Sequence, residues 1–173
     1  YLKRQTKNHK PKKRAIFSFE ELASFVESPT ENKIDRQEKL IAIISFYLLG
    51  RSVEVAKLRR GDIMLIDPEK GVVQIALQRC SKNPLVTNGF VHSIGAFNVA
   101  VELQNHLESI PTIDKNLWWQ VNIPRTDLTH QHMGKRNIGK VAKKVALILG
   151  KQAEQFGGHS FRRSGATAMA NAG

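Results

Sequence analysis

The chain has 173 residues, 41% of them hydrophobic, and carries 27 Lys and Arg against 15 Asp and Glu, a formal net charge of +12. That length and apolar content suffice for one domain with a buried core. The single Cys80 excludes an internal disulfide and fits a reducing compartment, and the longest apolar run, Leu40 to Gly50, is too short and too interrupted by Ser45 and Tyr47 to cross a bilayer.

Residues 1–14 hold seven Lys and Arg and no acid, with Pro11 among them and no apolar periodicity. This predicts a basic arm or linker, and no apolar segment follows to make it a secretory signal. Lys10-Pro-Lys-Lys-Arg14 also has the composition of a nuclear-import signal. The folded domain is expected over residues 15–173. Ser18-Phe-Glu-Glu21 reads as a capping box opening a helix to about Glu27, with Phe19, Leu22, Phe25 and Val26 on its apolar face. A second helix is expected over about 35–49, with Leu40, Ile41, Ile44 and Leu48 inward, and a short third over 52–58. The period then changes: Asp62–Ile66 and Val72–Leu77 are β-rich and joined by Asp67-Pro-Glu-Lys-Gly71, with a third strand near Phe90–Ile94. Helix returns over Phe97–Glu108. Residues 110–127, holding Pro111, Trp118, Trp119 and Pro124, read as loop. A helix over 134–149 places Ile138, Val141, Val145 and Ile148 on one face and Lys140, Lys143 and Lys144 opposite, with Gly150 as its C-cap. A last helix begins near His159. The whole predicts a mainly α domain with a small three-stranded antiparallel sheet.

The charge is uneven. Residues 135–163 carry eight Lys and Arg and one acid, whereas residues 15–134 carry twelve basic and fourteen acidic residues. Two basic zones on a near-neutral body favour a polyanion laid across particular faces over a merely solvated surface. Lys12, Lys13, Arg14, Lys140, Lys143, Lys144 and Arg163 are the expected DNA contacts, and a basic RNA-binding domain is the distant alternative. His130-Gln-His132 has no Cys or acidic cluster at ligand spacing, so it reads as a surface turn or DNA contact, and no metal site is expected. Trp118 or Trp119 could stack on a base, but at least one should anchor the long loop.

Two short patterns carry the chemistry. Arg51-Ser-Val-Glu54 puts a guanidinium at a helix start with a carboxylate one turn on. His159-Ser-Phe-Arg162 puts an imidazole and a second guanidinium on one helix face about a hundred residues later. Guanidinium donates a planar pair to two phosphate oxygens and stays charged, and a histidine can hydrogen-bond the same phosphate or take a proton near neutral pH. Each pattern alone also fits an ordinary surface ion pair or a capping histidine. Together, in this order, they resemble the catalytic domain of the tyrosine recombinases, the phage-integrase family. The run Arg51, Glu54, Leu58, Asp62 matches that family's spacing, although Gly50 directly precedes Arg51 where the family has an intervening residue. His159-Ser-Phe-Arg-Arg-Ser-Gly-Ala-Thr resembles the eukaryotic Crypton- and DIRS-type transposon branch.

The resemblance implies that Arg51, His159 and Arg162 act on a phosphodiester, with Glu54 in support. Lys82, after the second strand, would protonate the leaving 5′ oxygen; Arg79 competes for that place, and a solvated turn lysine is the plain alternative. It implies strand exchange through a 3′-phosphotyrosyl intermediate without cofactor, on double-stranded DNA and with further copies of the protein. It places the parent protein inside the cell: in the nucleus of a eukaryote, in the cytoplasm or nucleoid of a prokaryote. The family's nucleophilic tyrosine lies beyond its second arginine. Here Tyr1 falls in the arm and Tyr47 on an apolar helix face, so these residues are expected to form a domain lacking its nucleophile segment and inactive alone. The alternative is a recombinase-derived module that holds DNA without cutting it.

Overall fold

In the computed structural model residues 14–77, 80 and 88–173 are described; Lys12, Lys13, Arg79 and Lys82 lie outside them. Ser18 opens α1 (Phe19–Glu27): its hydroxyl accepts the Glu21 N–H at 3.1 Å, and Glu21 accepts the Ser18 N–H at 2.9 Å. Leu22, Phe25 and Val26 are buried, but Phe19 is 43% exposed and leans on Phe46. α2 (Lys33–Tyr47) starts before the expected Asp35 because the Asn32 side chain accepts the N–H groups of Ile34 and Asp35. The expected apolar stripe understates its burial. Every residue from Gln37 to Phe46 is buried, because α1, α4, α5 and α6 all pack on this helix.

A helix enclosed on all sides must satisfy its polar groups inside the protein. Gln37 does so on the Trp119 backbone, donating to its carbonyl at 2.8 Å and accepting its N–H at 2.9 Å. The Lys39 amine donates to the Ser28 carbonyl and to the Thr30 hydroxyl, and burial lowers its pKa. Glu38 is paired with Arg125 at 2.6 Å and with Lys144.

After α3 (Ser52–Ala56) and a tight turn at Arg60–Asp62, strands β1 (Ile63–Asp67), β2 (Val72–Ala76) and β3 (Asn88–His92) form an antiparallel sheet in the order β1-β2-β3. Val73, Ile75 and Val91 face the core. α4 (Val99–Ser109) is capped by Asn98. Residues 110–127 are not all loop: β4 (Trp119–Val121) pairs with β5 (Leu128–His132) in a second, two-stranded sheet. Both tryptophans are buried, and the Trp118 indole N–H donates to the Val55 carbonyl at 2.8 Å, so neither is available to stack on a base.

α5 (Lys135–Ile148) buries Ile138, Val141 and Val145, but Ile148 is exposed beside Leu147 in the last turn. Gly150 follows with φ +72°, the left-handed conformation expected of the residue that ends a helix. α6 (Ser160–Ala172) lies directly on α2. A Cβ at Gly165 would stand 2.1 Å from the Phe46 carbonyl oxygen, so the two backbones touch where any side chain would hold them apart. The result is a mainly α domain with a small three-stranded sheet at one side. Among the described residues no helix is long and apolar enough to cross a membrane.

Candidate active site

α2 ends at Tyr47, and the chain reverses through Leu48, Leu49 at φ +50° and Gly50. This places Arg51 at the N-cap of α3. The Glu54 carboxylate folds back over that cap: it accepts the Arg51 backbone N–H at 2.8 Å and pairs with the Arg51 guanidinium at 3.4 Å. Glu54 therefore fixes both the backbone and the side chain of Arg51.

The second half arrives from the other end of the sequence. The Gly157 and Ser160 backbones lock the entry to α6, Ser160 N–H donating to the Gly157 carbonyl at 2.9 Å and Gly157 N–H to the Ser160 hydroxyl at 3.0 Å. The Ser52 hydroxyl donates to the Gly158 carbonyl at 3.1 Å, and a Cβ at Gly158 would meet that hydroxyl at 2.3 Å. The turn before α6 is thus seated on the residue that follows Arg51. One turn into α6, the Arg162 guanidinium reaches the same Glu54 carboxylate at 3.9 Å.

Two guanidiniums separated by 111 positions in the chain share one carboxylate. Glu54 is largely buried, with 13% of its side chain exposed, whereas Arg51 and Arg162 remain 45% and 36% exposed. One negative charge against two positive ones leaves a net cationic site whose arginine edges are open. They border a cavity of about 420 Å³, lined also by Tyr47, Leu58, Leu77, Asn88 and Met169. A cavity with two fixed guanidiniums, partly desolvated, suits an oxyanion.

His159 stands exposed at the N-cap of α6, next to Gly158, and does not line the cavity. Leu77, directly after β2, and Asn88, at the start of β3, both line it; Lys82 falls between them in sequence. Of the expected DNA contacts, Lys140 and Lys143 are exposed on α5. Lys144 is half-buried and engaged by Glu38. Arg163 donates to the Arg14 carbonyl, and the Arg14 guanidinium donates to the Glu154 carbonyl at 2.9 Å, so both tie the start of the domain to α6. His132 pairs with Asp114 at 3.3 Å, and hydrogen bonds from Asn116 hold the Asp114 carboxyl below its ordinary pKa. Among the described residues no group of three or more His, Cys, Asp or Glu is disposed to hold a metal ion.

Sequence reasoning assigned Glu54 to Arg51 alone; its contact with Arg162 needs the fold to bring α6 onto α3. It also placed Tyr47 on an apolar face. The ring is half-buried, and it lines the cavity because α2 ends there and the chain turns back on itself. Burial raises its phenol pKa.

Fold and paired arginines together define a class: the chain has the fold of a tyrosine-recombinase catalytic domain. It is similar to the XerH site-specific recombinase solved bound to its difH substrate in a pre-cleavage complex, with 23% identity and a TM-score of 0.61 over 93% of this chain. It is similar to the XerA recombinase, with 18% identity and a TM-score of 0.59 over 92% of the chain and 52% of XerA. The Tn1549 transposon integrase, solved with transposon right-end DNA, matches with 15% identity and a TM-score of 0.53 over 97% of the chain and 56% of that protein. The chain spans 44% of the length of XerH. No protein-family model and no curated protein sequence matches it.

Proposed function

We propose that this domain is the phosphate-activating part of a DNA breaking and rejoining enzyme, a site-specific recombinase, integrase or transposase of the tyrosine type. The observation that carries the reading is the shared Glu54, which holds Arg51 and Arg162 over one open cavity. In the proposed reaction a tyrosine oxygen attacks the scissile phosphorus and the 5′ oxygen leaves, giving a 3′-phosphotyrosyl link. Reverse attack by a 5′ hydroxyl rejoins the strand, so the phosphodiester energy is kept and no cofactor is required. Arg51 and Arg162 oppose the negative charge that grows on the nonbridging oxygens of the five-coordinate transition state. The role of His159 as a proton acceptor or third phosphate ligand is supported by its place at the start of the helix that carries Arg162. The role of Lys82 as the acid that protonates the leaving oxygen is supported by Leu77 and Asn88 lining the cavity.

The attacking tyrosine is assigned to neither Tyr1 nor Tyr47. The partners of this reading are duplex DNA, gripped by Lys140, Lys143 and the basic arm with Lys12 and Lys13, and further copies of the protein; the compartment is one that holds DNA. The Crypton and DIRS branch is the proposed origin, from the wording of the His159–Thr167 segment.

The test is covalent capture with the full-length protein. Randomised duplexes, each carrying a nick, are incubated with it and resolved by denaturing electrophoresis. A DNA band retarded until protease is added, and absent in Arg51→Ala and Arg162→Ala, is the expected result. Tight DNA binding with no such band would leave only the binding module.

A further inference from the structure

Tyr47 is the residue of the cavity to which the proposed chemistry gives no task. It is the last residue of α2, four positions before Arg51, and with the chain reversing through Leu48, Leu49 and Gly50 both residues line the same cavity. Its ring is held on two sides. The Phe46 ring meets it edge-on, with centroids 5.5 Å apart and planes at 86°, and the His92 ring of β3 lies 5.7 Å away at 59°. A ring held between two others has few rotamers left to lose when its hydroxyl binds a ligand. Among the described residues, the other polar side chains lining the cavity are two guanidiniums, one carboxylate and the Asn88 amide. The carboxylate is already spoken for by the arginines and the Arg51 backbone.

We propose that the Tyr47 hydroxyl is a third donor to the oxyanion held by Arg51 and Arg162, a positioning residue for the phosphate and not its nucleophile. This rests on the reading of the cavity as a phosphate site. A tetrahedral phosphate presents more acceptor lone pairs than two guanidiniums can fill, and an O–H bond to a charged oxygen is stronger than one between neutral groups. The partly buried ring keeps its proton, since burial favours the neutral phenol, and so it donates rather than repels an anion. The same protonated state makes it a poor attacking group, and unlike the arginines it adds a donor without adding charge.

The experiment titrates inorganic phosphate into the 173-residue chain, followed by ³¹P NMR, for the unaltered protein and for Tyr47→Phe, Arg51→Ala and Arg162→Ala. Tyr47→Phe removes one oxygen and leaves the ring packing on Phe46 and His92 intact, so thermal unfolding should not move. Its phosphate affinity should fall roughly tenfold, the size of a lost hydrogen bond to a charged acceptor. The arginine variants should lose more. Unchanged affinity in Tyr47→Phe, with loss in both arginine variants, overturns the inference and leaves the phosphate site standing. No binding by the unaltered chain at millimolar phosphate overturns both. Incubation with nicked duplex DNA adds a further arm: a covalent band that Tyr47→Phe abolishes would make Tyr47 the nucleophile and refute the donor role.

Discussion

Gly165→Ala tests how the fold holds the site. Gly165 lies one turn after Arg162 on α6, and a Cβ there would stand 2.1 Å from the Phe46 carbonyl oxygen and 2.7 Å from the Leu49 Cδ2. Two effects oppose each other. Alanine in place of glycine inside a helix contributes about 0.5–1 kcal/mol of stability. Forcing an extra methyl into a packed contact costs about 1–3 kcal/mol, and the upper end applies where the obstacle is backbone that cannot rotate away. The clash wins by about 2 kcal/mol, which in a domain of this size lowers Tm by about 4–8 °C. The damage to function should be larger. Relief requires α6 to lift from α2, and Arg162 meets Glu54 at only 3.9 Å before any lift. Differential scanning calorimetry and phosphate titration measure the two losses. Gly61→Ala is the control, because nothing lies within 4 Å of a Cβ there and its Tm should hold. A Gly165→Ala protein as stable as the parent, with unaltered phosphate affinity, would refute the direct seating of α6 on α2 as the device that positions Arg162.

Four further outcomes are expected. Arg51→Ala or Arg162→Ala in the full-length protein should slow covalent adduct formation by about two to three orders of magnitude in single-turnover gels, and an Arg162→Ala variant with full activity would remove it from the mechanism. Glu54→Gln keeps the shape and removes the charge shared by both arginines, so adduct formation should fall about tenfold or more while duplex binding on filters changes little. Duplex affinity of the chain should drop steeply between 50 and 200 mM salt, by roughly a factor of ten for every two phosphate contacts; equal affinity at both would sink the electrostatic account of Lys140, Lys143 and the basic arm. Burial lowers the pKa of His106 from 6.5 to about 4, its Nε2–H donating to the Leu117 carbonyl at 2.7 Å. The unfolded chain therefore takes up this proton first, so its contribution is fully present above about pH 6.5 and is lost as pH falls toward 4, about 3 kcal/mol in all; urea midpoints should follow that slope and His106→Gln should flatten it.

The sequence made the regular part of the fold legible where local rules act alone. The capping box at Ser18, the turn chemistry of Asp67–Gly71 and the left-handed Gly150 each specify an element end through residues a few positions apart. It failed where tertiary packing overrides the local pattern. The apolar period of α2 predicts one buried face, yet the polar Gln37, Glu38 and Lys39 are buried as well, since each finds a partner on an element distant in sequence or across a turn. β4 is too short, at three residues, to display alternation, and in β5 only Leu128 of five residues is apolar. Phe19 and Ile148 have the right period for their helices but sit in end turns that no neighbour covers fully.

The site divides along the same line. Arg51 with Glu54, and His159 with Arg162, were visible as short-range patterns because an i,i+3 spacing is itself a statement about one helix face. The link between them was not, because it depends on two small residues whose significance appears only in three dimensions. Gly158 admits Ser52, and Gly165 admits the Phe46 carbonyl, and these two contacts bring α6 against both α3 and the end of α2. Once α6 is seated there, Glu54 faces two arginines and Tyr47 faces the space between α2, α3 and α6. The glycines therefore matter to the chemistry as much as the charged groups do. Replacing a cation removes one ligand of the proposed phosphate, whereas filling the space at Gly158 or Gly165 should shift the helix that carries Arg162 and dismantle the geometry that makes Glu54 common to both arginines.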